Sequence, residues 1–188
     1  MALIENLSKK EQKLISNIWN GKSVKPKKIV RLFNAIAEDF YDDNPQMIEG
    51  NNWKKPTNKI NGKRPKGELL PLQSSGTVID EIVGDNRLHV SIGQRVAGTR
   101  VGVHVHELGG LTFVMKGEGE ITDFVEGVEN NTFPAGTYYF MPANIQMSAS
   151  NLTEKDTWLM DIFVTNEAKP NPITIIEPHY PGYTNPIS

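Results

Sequence analysis

The sequence predicts a mainly β chain that closes as an antiparallel sandwich or barrel and is entered through two α-helices and a long loop. Three observations carry this. Apolar residues recur at helical spacing between residues 8 and 42, short runs broken by Gly, Pro and Asn take over after residue 76, and the charge changes sign between the two regions. Residues 1–75 hold 14 Lys and Arg against 8 Asp and Glu, a net of +6, whereas residues 76–188 hold 6 against 14, a net of −8. The expected organisation is an N-terminal helical extension with its connecting loop over 1–75, then a β-barrel domain with an extended C-terminal tail over 76–188.

The first helix is expected over about residues 8–20. Ser8 and Glu11 have the spacing of a capping box, Leu14, Ile15 and Ile18 supply an apolar stripe, and Gly21 ends it. The second is expected to begin near Ser23 with Pro26 in its first turn. It carries Ile29, Val30, Phe33, Ile36, Ala37 and Phe40 on one face until Asp42, Asp43, Asn44 and Pro45 stop it. Two short helices cannot enclose a core, so they should dock on the barrel or on a partner. From Asn44 to Ser75 the chain is rich in Asn, Lys, Pro and Gly, with Trp53, Ile60, Leu69, Leu70 and Leu72 as scattered apolar anchors. Most of the cluster Lys54, Lys55, Lys59, Lys63, Arg64 and Lys66 reads as solvated loop charge.

Strands are expected at Thr77 to Val83, Leu88 to Val96, Arg100 to His106, Leu111 to Met115, Glu118 to Val125, Gly136 to Met141, Met147 to Ser150, Thr157 to Thr165 and Ile173 to Glu177. Lys116-Gly-Glu-Gly-Glu120 reads as a hairpin turn between two of them. Many short strands at this spacing suit a double-sheet jelly roll.

Composition removes several function classes. The 188 residues contain no cysteine, which excludes disulfides, thiolate metal sites and cysteine nucleophiles. No apolar run approaches the roughly 20 residues of a membrane span, and the first residues lack the core of a signal peptide, so a cytoplasmic protein without a membrane partner is expected. Phosphate-binding glycine loops and the Gly-x-Ser-x-Gly elbow are missing. The basic front segment suggests anionic partners, but its helices lack a short glycine-containing turn leading into a polar reading helix. Nucleic acid is therefore not the expected partner, and packing on the acidic barrel of its own or a neighbouring subunit is.

The chemistry concentrates in two blocks. The first runs from Gly98 through His104 and His106 to Gly117, and the second contains Gly136, Pro142, Asn144, Met147 and Asn151. Alternation along a strand puts His104 and His106 on one face, where two imidazoles could share an ion. Together the blocks resemble the two conserved motifs of the cupin superfamily over roughly residues 77–166. The first family motif reads Gly, five residues, His-x-His, three or four residues, Glu, six residues, Gly. Gly98, His104, His106 and Gly117 fall on it, and the Glu position is taken by Gly110 or Leu111. The second reads Gly, five residues, Pro-x-Gly, two residues, His, three residues, Asn. Gly136, Pro142 and Asn151 match, while Asn144 replaces the Gly and Met147 the third histidine.

The resemblance implies a double-stranded β-helix, the cupin jelly-roll barrel of a single-domain cupin, preceded by two α-helices and a long loop. It implies a cavity for a small-molecule ligand or substrate and a homodimer formed through a sheet. It further implies a mononuclear metal centre, reduced here to His104 and His106, that would take Fe, Mn, Ni, Cu or Zn. Enzymes of this build act as oxygenases, lyases or isomerases, including dimethylsulfoniopropionate lyases with helices before one barrel. The alternative is a non-catalytic barrel that binds or senses a small ligand with no tightly bound metal. Tyr139 and Asp161 are the expected acid or base groups, and Thr112, Met147 and Gln146 are expected to line the pocket. Met147 would be a soft thioether ligand or ordinary barrel filling. Glu107 falls on the face opposite His106, and His89 and His179 read as structural.

Overall fold

The structure is a computed structural model that describes residues 1–48, 55–168 and 171–185. Trp53 and Lys54 lie outside the described residues. Helix α1 spans Lys9–Trp19 and opens on the expected capping box, with Glu11 N donating to Ser8 Oγ at 3.2 Å and Ser8 N to Glu11 Oε2 at 2.9 Å. Helix α2 spans Pro26–Asp43, starting at the proline and not near Ser23. The fixed φ of proline suits the first helical position, where its missing N–H costs no hydrogen bond. Asn44 ends α2 by donating its side-chain amide to the Phe40 carbonyl at 2.9 Å.

The strands are β1 (Glu68–Leu69), β2 (Gln73–Val83), β3 (Asn86–Arg95), β4 (Thr99–Arg100), β5 (His104–Val105), β6 (Gly110–Gly117), β7 (Glu120–Val125), β8 (Asn131–Pro134), β9 (Tyr138–Met141), β10 (Met147–Ser150), β11 (Thr157–Asn166) and β12 (Thr174–Ile175). They form two sheets. One runs β2-β3-β11-β6-β9, and in the other β10 pairs with β4 and β5 on one side and β7 on the other, with β1, β12 and β8 at the margins. From β3 onward the chain repeatedly crosses between the sheets, so they face each other as a double-stranded β-helix jelly roll.

Three readings change. Lys116 to Glu120 is not a hairpin, because β6 and β7 belong to opposite sheets and the glycines carry the chain across the barrel edge. A Cβ on Gly117, whose φ is +115°, would meet the Asp156 carbonyl oxygen at 2.5 Å, and one on Gly119 would collide with that of Lys155. The expected strand from Arg100 to His106 is split into β4 and β5, and β1 and β8 join the expected set.

The five-stranded sheet decides where everything sits. Its outer face presents Leu88, Val90, Leu111, Phe113, Met160 and Ile162, which pack with Ile15, Ile18, Ile29, Leu32, Phe33 and Ile36 of the helices in one core. Period-2 alternation then leaves the intervening residues of the same strands pointing into the barrel. On β3 these are His89, Ser91, Gly93 and Arg95, with Leu88, Val90 and Ile92 on the helix side.

The residues shared with the cupin motifs hold the barrel's corners. Gly98 has φ +76°, and its N–H donates to the Asn151 carbonyl at 2.8 Å while Asn151 N donates to Thr99 O at 2.9 Å. The Asn151 amide also donates to the carbonyls of Arg95 at 3.1 Å and Lys155 at 2.7 Å. Asn144 has φ +58°, so it fills a glycine slot as one of the few side chains that tolerate left-handed backbone. Past β12, Glu177 returns to the barrel wall, accepting from Arg100 Nη1 at 2.7 Å and Nη2 at 2.8 Å and from Val103 N at 2.8 Å.

Candidate functional site within the barrel

His104 and His106 do share the inner face. Both are buried, and their rings meet edge to face with centroids 4.9 Å apart. His104 Nδ1 lies 2.8 Å from the Gly102 carbonyl, which makes Nδ1–H the donor and leaves Nε2 as the lone-pair nitrogen. His106 stacks on Phe163 at 5.4 Å and 13°, and neither of its nitrogens has a hydrogen-bond partner. Burial pushes both imidazoles down, that of His104 to about 4, so they are neutral at pH 7.

The place of the missing carboxylate is sterically filled. A Cβ on Gly110 would lie 2.6 Å from the Met141 methyl and 3.0 Å from the Phe163 ring, which occupy the space a longer side chain would need. Met147 pairs in register with His104, but its buried side chain belongs to the apolar cluster of Val125, Ile145 and Met141. Among the described residues no group of three or more His, Asp or Glu is arranged to hold a metal. Two imidazoles alone do not make the three- or four-ligand set that retains Fe, Mn, Ni, Cu or Zn, so the residues present do not fit a resident ion of that kind.

Around the histidines is a cavity of about 430 Å³. Strand register places a polar row across its floor: Thr77 pairs with Ser91, Ser91 with Asp161, Asp161 with Thr112, and Thr112 with Tyr139. All five line the cavity. Thr112 Oγ1 donates to Asp161 Oδ1 at 2.6 Å. Burial raises the Asp161 carboxyl to about 6, although the Thr112 hydrogen bond and the charge of Arg95 pull the other way. Burial, reinforced by Asp123 and Asp161, pushes the Tyr139 phenol well above its ordinary value, so it stays a donor. Met147 and Gln146 are not among the lining residues. Met147 packs behind the lining in one apolar cluster with Tyr139, Met141 and Phe163, and the backbone carbonyl of Gln146 accepts from Glu126 N at 2.9 Å. Glu107 likewise faces away, accepting from Asn166.

The sequence reading did not single out five groups that matter here. Arg95, Ser91, Thr77 and Tyr180 line the cavity, and Asp123 is buried on β7 with its carboxyl raised by burial to about 7. A signal for the first two existed: in Leu88 to Arg95 the apolar residues hold one face, and the opposite face reads His, Ser, Gly, Arg. His89 also lines the cavity, with Nδ1 3.8 Å from an Asp80 oxygen.

The crossing of two sheets and the glycine corners define a double-stranded β-helix barrel, the fold that the resemblance to the cupin motifs implies. No family model matches the chain, and no curated protein matches it in sequence. Among solved structures, the DMSP lyase DddQ from Ruegeria pomeroyi is 16% identical, covering 56% of this chain and 52% of that one, with a TM-score of 0.46. A cupin-like protein from Thermotoga maritima is 13% identical over 55% of this chain and 74% of that one, with a TM-score of 0.44. An uncharacterized protein with a double-stranded beta-helix domain from Klebsiella pneumoniae is 18% identical over 58% and 90%, with a TM-score of 0.42. The chain spans 43% of the chain matched in a structure of the DMSP lyases RdDddP and RnDddQII, and about half of the Ruegeria lyase, 52%. At these values none of them bears on what this chain binds or does. No helix among the described residues is long and apolar enough to cross a membrane.

Proposed function

We propose that this barrel binds one small organic molecule between its two sheets without calling on a tightly held metal. The polar row of Thr77, Ser91, Asp161, Thr112 and Tyr139 carries this reading. A barrel interior with no ligand to hold would be filled with apolar side chains, as the helix-facing side of the same strands is. A concave, largely apolar cavity with a few convergent polar groups is the usual form of a small-molecule site.

A catalytic form of the reading needs only groups already in the row. Asp161 exchanges a proton near neutrality, and the protonated Tyr139 phenol offers a hydrogen bond to charge developing on the ligand, which suits a lyase or isomerase step. The competing reading, an enzyme with a metal on His104 and His106, has one observation on its side: the unpartnered nitrogens of His106.

Native mass spectrometry separates the two. The protein is incubated with a small-molecule library and, separately, with Fe, Mn, Ni, Cu and Zn, alongside His104→Ala and His106→Ala. Organic adducts without stoichiometric metal are expected. Stoichiometric metal that is lost in both variants would overturn the metal-free reading, and no organic adduct would overturn the binding reading.

A further inference from the structure

We infer that the ligand of this cavity is an organic acid and that Arg95 holds its carboxylate, an inference that rests on the barrel binding a small molecule. Arg95 is the last residue of β3 and points inward with His89 and Ser91, and it is only 3% exposed. Among the described residues that line the cavity it is the sole lysine or arginine. Its backbone is pinned from behind by the Asn151 amide, which donates to its carbonyl.

The guanidinium carries a permanent charge and more donors than its surroundings use. Nη1 donates to the Leu70 carbonyl, the Tyr180 phenol lies beside the group, and Nε is buried with no partner. Among the described residues no carboxylate comes within ion-pair distance of it. Asp161 is near enough to feel its charge but does not act as its counterion. A carboxyl paired with arginine is driven below its ordinary value, whereas burial holds this one above it.

A buried, unneutralised charge is costly unless a partner supplies the opposite charge. A carboxylate does so in a planar, two-bond geometry that the guanidinium fork matches. The rest of the cavity describes the remainder of the molecule. Leu72, Val101, Leu159 and Ile173 suit a short aliphatic body, and Ser91 and Thr112 suit a hydroxyl or keto oxygen on it.

The test is calorimetric titration of the full chain with butyrate, hexanoate and 3-hydroxybutyrate, each beside its primary amide. A charged hydrogen-bonded pair predicts that acids bind at least about tenfold more tightly than amides. Arg95→Met should abolish that preference by bringing the acids down to the level of their amides, and Arg95→Lys should keep part of it. Acids and amides bound equally by the unaltered protein would overturn the anion site and leave the binding cavity standing. A preference that survives in Arg95→Met would overturn the assignment to Arg95, and no binding of any probe would sink both readings. Should Arg95→Met not fold, the acid-against-amide comparison on the unaltered protein decides.

Discussion

Two arginines five positions apart, Arg95 and Arg100, are both buried in the same barrel and are treated in opposite ways. Arg100 is fully enclosed, and Glu177 meets it with two hydrogen bonds at 2.7 and 2.8 Å. Burial alone would raise the Glu177 carboxyl, but the Arg100 hydrogen bonds, the Val103 N–H and the arginine's charge together hold it below its ordinary value. Arg95 receives a backbone carbonyl and a phenol, and no carboxylate among the described residues. The first arginine is part of the wall, and the second faces the space the wall encloses. Burial of a charge is therefore not one phenomenon in this protein, and the pairing of each charge separates an arginine neutralised within the wall from one left without a counterion.

The largest effect that would break this contrast is loss of Glu177. Glu177→Ala leaves Arg100 buried and unpaired and is expected to cost about 3–5 kcal/mol in urea unfolding. A loss below about 1 kcal/mol would mean that Arg100 is not held as described. The carboxylates sharpen the comparison through pH. Glu177, with its folded value lowered, contributes stability that is present above its unfolded value and lost as pH falls through the folded one.

Asp123, raised to about 7, behaves oppositely. The folded state favours its protonated form, so stability declines as pH rises from about 4 to about 7 and is level above that. Asp123→Asn should therefore stabilise the protein increasingly across that window, by no more than about 4 kcal/mol at pH 8 and least near pH 4. Thermal unfolding of both proteins across pH checks this, and a gain independent of pH would contradict it.

Arg95→Met comes next. Replacing an unneutralised buried charge by an apolar side chain is expected to leave ligand-free stability unchanged or raise it by up to about 2 kcal/mol, despite the lost bond to Leu70. A loss of 3 kcal/mol or more, measured by the same urea titration, would show that Arg95 is a wall residue like Arg100. The smallest effect belongs to the second arginine pair, Arg87 with Asp80 at 2.6 Å. Asp80 is 41% exposed, and Asp80→Ala should change stability by less than about 1 kcal/mol, more at low salt than at high.

Much of the fold was legible because its signals are local. The Ser8 to Glu11 box, the stripe from Ile29 to Phe40, the alternation of β3 and the glycines at 98 and 136 each report on neighbours a few residues away. The candidate site was legible only in part. His104 and His106 share a face because they are two residues apart on one strand. The row from Thr77 to Tyr139 needed the pairing of five strands, which no single segment encodes. That pairing also decides that Phe163 and Met141 fill the space over Gly110. The turn at Lys116 to Glu120 was misread for the same reason, since a glycine-rich link between two strands does not state which sheet each one joins.

The Arg100 to Glu177 clasp bears on the order in which the molecule comes together. Its partners are separated by 77 residues of chain, and that loop contains most of both sheets. Sheets closed around Arg100 without Glu177 would leave a bare guanidinium in the wall. The clasp therefore ties the chain beyond β12 to the wall formed around Arg100, and the two come to rest together.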